Sequence, residues 1–258
     1  MKQIAIFASG SGTNAENIYK FFSRGNRIGV ALVIYDRKDA GVAQRMQQYG
    51  VETVYIPGSV WRERPNEILH LLRIKHIDMV VLAGFLRMVP DCITEAYAGR
   101  ILNIHPSLLP AYGGKGMFGH HVHEAVIANG ETKSGVTVHY VTSECDGGEI
   151  LMQEEVEITP EDTAETLEAK IHPVEYSLFP RAIVAAFARL DNTPADSPAI
   201  TPPPVPAAEE WAQKLNIKYD AGRVYKYYDS PVSQPAPATA NPGTPVTPPA
   251  PANPGSGP

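Results

Sequence analysis

Along roughly the first 190 residues, short β-branched runs alternate with segments whose apolar positions recur at helical spacing. The runs fall at 3–8, 29–35, 52–56, 78–83 and 100–104, and the pieces between them have lengths suited to crossover helices. These five strands are therefore predicted to be parallel. Further on, 135–141 and 149–158 are separated by Asp146-Gly147-Gly148, a turn signal that predicts an antiparallel pair at the far edge of the sheet. The segment 161–190 has helical period but contains Pro173, which predicts a kink or a split into two helices. The expected class is α/β: a Rossmann-like open mixed sheet, mostly parallel with an antiparallel edge, with helices on both faces.

Proline changes the picture near residue 192. Eight of the 24 prolines precede residue 194 and sixteen fall in the remaining 65 residues. The expected organisation is a folded domain over 1–191, then a linker over 192–229 in which 207–228 can form a short docked helix. A Pro-rich tail follows over 230–258, with almost nothing to bury, and is expected to stay disordered. The net charge of −6 offers no electrostatic footprint for a phosphate backbone or an anionic membrane, so neither nucleic acid nor membrane is an expected partner. Cys92 and Cys145 are far apart and form no CxxC pair, which reads as two free thiols in a reducing compartment. The apolar run at 4–8 is too short for a signal peptide or a membrane span, and a cytoplasmic, soluble protein is expected.

Two clusters carry chemistry. After the first strand, Ser9-Gly10-Ser11-Gly12-Thr13-Asn14 leads into a helix, an arrangement in which glycines let the backbone approach a ligand and free amides face it with the positive end of the helix dipole. Gly10, Gly12 and Ala15, with Asp36 about 20 residues further on, also fit the dinucleotide fingerprint. On this loop alone a nicotinamide cofactor and another phosphate compound are equally good readings. The second cluster ends the fifth strand, where Asn103 and His105 alternate. Side chains two apart on a strand share a face, so the two converge at the carboxyl end, where open α/β sheets place ligands.

The phrase Leu102-Asn-Ile-His-Pro-Ser-Leu-Leu-Pro110, followed by Gly135-Val-Thr-Val-His-Tyr-Val-Thr-Ser-Glu-Cys-Asp-Gly-Gly148, resembles the catalytic signature of folate-dependent formyltransferases. The Gly10-Ser-Gly-Thr-Asn14 opening resembles the phosphoribosylglycinamide formyltransferase family within them, and the resemblance runs from about residue 1 to 190. It implies transfer of a formyl group from the cosubstrate 10-formyltetrahydrofolate to the amine of glycinamide ribonucleotide, by a monomer or weak homodimer. Asn103, His105 and Asp146 are the implied catalytic residues: Asn103 as oxyanion donor, His105 as the group that moves protons, and Asp146 as the carboxylate that raises its pKa. Gly12, Thr13, Asn14, Pro106 and Glu175 are the implied ribonucleotide contacts. Leu86, Arg87, Met88 and Val89, with Val141, Thr142, Ser143 and Glu144, resemble the two strips that hold the pterin, and Arg62 or Arg64 the contact for the anionic tail. Loop 113–119 is longer than in better-known members.

A formyltetrahydrofolate deformylase shares the triad but carries an extra N-terminal regulatory domain, whereas this chain begins on its first strand, so a transferase is expected over a hydrolase. The remaining alternatives are a nicotinamide-dependent oxidoreductase and a non-catalytic nucleotide-binding or scaffolding protein. His120, His121 and His123 lack supporting ligands at a diagnostic spacing, and no metal is expected. His139 reads as a packing or supporting residue.

Overall fold

In chain order the elements are β1 (Lys2–Ala8), α1 (Thr13–Phe22), β2 (Ile28–Tyr35), α2 (Val42–Gln47), β3 (Thr53–Tyr55), α3 (Gly58–Glu63), α4 (Pro65–Ile74), β4 (Met79–Leu82), α5 (Asp91–Ala96), β5 (Ile101–His105), α6 (His120–Ala128), β6 (Lys133–Tyr140), β7 (Ile150–Glu157) and α7 (Ala164–Asp191). They come from a computed structural model that describes residues 1–25 and 27–192. The linker with its expected helix at 207–228 and the tail at 230–258 lie outside the described residues.

The strands form one sheet in the order β3-β2-β1-β4-β5-β6-β7. The first five are parallel, and β6 and β7 each run antiparallel to the neighbour before them. Each predicted strand is present, with ends displaced by one or two residues. Strand order reverses between β1 and β4, the place where such sheets open a crevice beyond the carboxyl ends of their strands.

Alternate residues of the central strands feed two cores. Ile4, Ile6, Met79, Val81, Leu102 and Ile104 pack under α1, α2, α6 and α7. Ala5, Phe7, Val80, Leu82 and Ile101 pack under α3, α4 and α5. The next two residues on that face of β5 are the polar Asn103 and His105, met by Asp146 of the β6–β7 connection and by the Tyr112 carbonyl.

Pro173 does not split the last helix. α7 runs unbroken for 28 residues through Pro173 and Pro180, starting from a capping box in which the Thr163 and Thr166 hydroxyls serve each other's backbone amides. An interior proline costs about 3 kcal/mol or more. Burying one Leu, Ile or Phe side chain returns about 1.5–3 kcal/mol. Ile171, Leu178, Phe179 and Ile183 are all almost fully buried on this helix, which outweighs two such defects. Among the described residues, no helix is long and apolar enough to cross a membrane.

Candidate active site

The loop after β1 presents its amides because its carbonyls are already taken. The Gly10 carbonyl accepts the Val42 N–H at 3.1 Å and the Ser11 carbonyl accepts Arg45 Nε–H at 2.8 Å, both from α2. Arg45 itself is held by Glu16, whose carboxyl Lys20, Tyr49 and Arg45 together bring down to about 2. Gly12 sits in the left-handed region (φ 78°) as the N-cap of α1, with no side chain capping the helix. A Cβ there would lie 2.5 Å from the Val42 side chain, so the close approach of α2 as well as the φ angle requires glycine. The first-turn amides at Thr13 and Asn14 are thus left facing outward at the dipole's positive end.

Glu175 comes to the same place from α7. Asn14 Nδ2 donates to its Oε2 at 3.0 Å, and Asn14 Oδ1 is buried without a hydrogen-bond partner. Burial pushes the Glu175 carboxyl above the ordinary carboxylate range, against the opposing effect of the Asn14 hydrogen bond. Ser9 stitches this loop to the next one: its N–H reaches the Gly84 carbonyl, and its Oγ accepts the Leu86 N–H at 3.0 Å.

Asp146 is the hub of the second cluster. The β6–β7 connection folds back across β5 and places its carboxylate 3.5 Å from Asn103 Nδ2, 3.8 Å from His105 Nδ1 and 3.6 Å from His139 Nε2. Asp146 has φ 54°, a left-handed conformation that Asp tolerates better than most residues. Burial by itself would raise its carboxyl, but His139, the Gly114 N–H at 2.9 Å and His105 together hold it below the ordinary value.

His105 Nε2 lies 2.7 Å from the Tyr112 carbonyl. A carbonyl oxygen carries no proton, so Nε2 bears the ring hydrogen and the neutral ring keeps its lone pair on Nδ1, facing Asp146. Asp146 does raise the His105 pKa, as expected, but it does not set the net direction. Burial dominates and pushes it below 6.5, with the Tyr112 carbonyl and Asp146 opposing this only in part and His139 adding to it. His105 is therefore neutral at pH 7, poised to accept a proton.

His139 does more than pack. It lies directly across from Asn103 in the β5–β6 register, gives Nδ1–H to the Tyr140 carbonyl at 3.0 Å, and so offers Nε2 as acceptor to the Asn103 amide at 3.1 Å. This turns Asn103 Nδ2, rather than its oxygen, toward Asp146. The signal in the sequence was the pairing register of two strands, which no local pattern supplies.

Not every predicted contact joins these clusters. Val89 is core, whereas Leu86 and Met88 are about half exposed on the loop after β4. Val141 packs at the edge of the second core and Thr142, Ser143 and Glu144 are exposed beside Asp146; Pro106 is half-buried after His105. Arg62 and Arg64 are exposed on and just after α3, with Arg64 paired to Glu67. Asp36, the acid of the dinucleotide fingerprint, is buried and bound to Arg87 Nε. Only its Oδ2 is so bound, and Oδ1 is buried without a hydrogen-bond partner, so the acid of the fingerprint faces the interior and an arginine. His120 is bound to Glu168 at 2.8 Å and His121 to Glu124 at 2.9 Å, while His123 points into the interior.

Residues 2–183 match the formyl transferase family. The phosphoribosylglycinamide formyltransferase of Bacillus subtilis is 36% identical over 187 residues, covering 71% of this chain and 93% of that protein. The chain belongs to the phosphoribosylglycinamide formyltransferase family. Its chloroplastic relative in Arabidopsis thaliana is 38% identical over 190 residues, 71% of this chain, and the matched region spans 65% of that longer protein. The crystal structure of the family's Bacillus halodurans member superimposes with a TM-score of 0.68 at 40% identity, covering 74% of this chain and 98% of that one. The anion loop and the Asp146 cluster both lie within the matched region.

Proposed function

We propose that this chain transfers the formyl group of 10-formyltetrahydrofolate to the primary amine of glycinamide ribonucleotide, a step of purine synthesis, in the cytoplasm and through its 1–191 domain. The observation that carries this reading is the gathering of an amide donor and a neutral imidazole around the Asp146 carboxylate at the carboxyl end of β5. As the amine nitrogen attacks the formyl carbon, the carbonyl oxygen gains negative charge. Asn103 Nδ2–H, oriented by His139, is the donor for that oxyanion. The attacking nitrogen loses a proton to His105 Nδ1, and the imidazolium so formed lies within ion-pair distance of Asp146. Collapse of the tetrahedral intermediate breaks the bond to the folate nitrogen, which receives the proton from His105.

Thr13, Asn14 and Gly12 would hold the ribonucleotide phosphate and Glu175 its sugar. The strips at 86–89 and 141–144 would hold the pterin, with Arg62 or Arg64 meeting the anionic tail. The direct test is release of tetrahydrofolate from the formyl donor. Release that requires glycinamide ribonucleotide supports a transferase, release without it indicates the deformylase reaction, and thermal stabilisation by NAD or NADP with none from reduced folate would reject both.

The cradle has its own test. Thr13→Asp puts a carboxylate at the first position of α1, where the helix dipole tolerates it and folding is unharmed. A phosphate in contact with it would be repelled, and the expected result is a Michaelis constant for the ribonucleotide raised by about tenfold or more. The constant for the folate should stay put. An unchanged ribonucleotide constant would remove the loop from phosphate binding.

A further inference from the structure

Loop 106–119 reaches two titratable groups of the site, His105 and Asp146, and one residue in it has an unusual backbone. Tyr112 has φ 57°, one of three non-glycine residues with positive φ among those described, and another of the three is Asp146. A tyrosine in the left-handed region is strained and persists only where its surroundings hold it. The surroundings are visible. Tyr112 Oη donates to Glu131 Oε1 at 2.6 Å and accepts from Asn129 Nδ2 at 2.8 Å, which ties the ring to the end of α6 and the turn after it. The preceding residues are tied as well, with Ser107 Oγ donating to the Ala111 carbonyl at 2.6 Å and Ala111 N–H to the Leu108 carbonyl at 3.1 Å.

This anchoring has two consequences at the site. The Tyr112 carbonyl is aimed at His105 Nε2, and two residues later the Gly114 N–H is delivered to Asp146 Oδ2. We propose that Tyr112 is a positioning residue: its hydroxyl, clamped by Glu131 and Asn129, holds a strained turn whose carbonyl fixes the Nε2–H tautomer of His105 and whose following amide fixes Asp146. The inference rests on His105 Nδ1 being the proton acceptor. If the carbonyl turned away, nothing would hold the ring hydrogen on Nε2. It would shift to Nδ1, drawn by the Asp146 carboxylate at 3.8 Å, and the base would be blocked in the fraction of molecules so arranged. Loss of the carbonyl also removes one of the two groups that favour the protonated ring, so the His105 pKa would fall further.

Tyr112→Phe keeps the ring and deletes both anchoring hydrogen bonds. The expected result is a fall in kcat of about tenfold with the Michaelis constants for both substrates nearly unchanged, since the strained turn is released but no substrate contact is lost. Nitrogen NMR of the His105 imidazole should show a larger Nδ1–H fraction and a titration moved to lower pH. Glu131→Ala and Asn129→Ala remove the two clamps one at a time from exposed positions, and the same NMR shift is expected from each even if Tyr112→Phe fails to fold. A loss of rate with the imidazole tautomer and titration unmoved would mean that Tyr112 is merely structural, and unchanged rate and spectrum would equally overturn the proposal. The NMR arm does not depend on formyl transfer, so failure of the functional reading and failure of this one are separable.

Discussion

Asp146→Asn is expected to lower kcat by on the order of 10²–10⁴, the range over which acid–base catalysis contributes, with little change in ribonucleotide affinity. The substitution keeps the side chain's shape, and Asn is among the few residues at home in the left-handed conformation that position 146 requires, so the fold should survive. What is lost is charge. At 3.8 Å the carboxylate is too far from His105 Nδ1 for a good hydrogen bond, so its contribution is electrostatic support of the imidazolium formed when the amine is deprotonated. The pH profile gives the sign. His105 must be neutral to act, and its pKa lies below 6.5, so activity falls on the acid side through a limb below that pH. Asp146 favours the protonated ring, so its removal lowers the His105 pKa again and moves the limb to lower pH while the plateau drops. Turnover near that of the parent chain would exclude Asp146 from the chemistry, and a limb that moved upward would show that the burial argument is wrong.

Asn103→Ala is expected to cost on the order of 10²–10³ in kcat, equivalent to about 3–4 kcal/mol of transition-state stabilisation, as for removal of one oxyanion donor. In the free protein the Asn103 amide hydrogens face two acceptors, His139 Nε2 at 3.1 Å and Asp146 Oδ1 at 3.5 Å. The second contact is long and weak, which leaves that hydrogen available to a stronger acceptor such as a tetrahedral oxyanion. The Michaelis constants should change much less than kcat, because a neutral formyl oxygen draws on the amide far less than an oxyanion does. A variant that raised the Michaelis constant for the formyl donor and left kcat alone would recast Asn103 as a binding residue.

The order of strands and helices was legible in the chain because it depends on local periods, two for strands and 3.6 for helices. So was the pairing of Asn103 with His105, which needs only alternation along one strand, and so was the anion loop, which needs only glycines between a strand and a helix. One local rule that misled was proline in 161–190. It was overruled by the burial of Ile171, Leu178, Phe179 and Ile183, a contribution invisible until the sheet that buries them exists.

Asp36 shows the same limit from the other side. Its spacing from Gly10 and Gly12 satisfied a motif, yet the side chain is buried and its Oδ2 is bound by Arg87, 51 residues away. Charge satisfaction is decided by whatever long-range partner the fold delivers, and spacing says nothing about it. The candidate residues were thus legible in the sequence, Asn103 and His105 through short spacing and Asp146 through the family resemblance. Their protonation, orientation and contacts were decided only by the tertiary structure. Asp146 meets Asn103 across 43 residues because the β6–β7 connection folds back over β5, and His105 is neutral because loop residues exclude water from it. Desolvation and hydrogen-bond direction depend on what lies on every side of a group in space, and a linear pattern specifies only its neighbours along the chain.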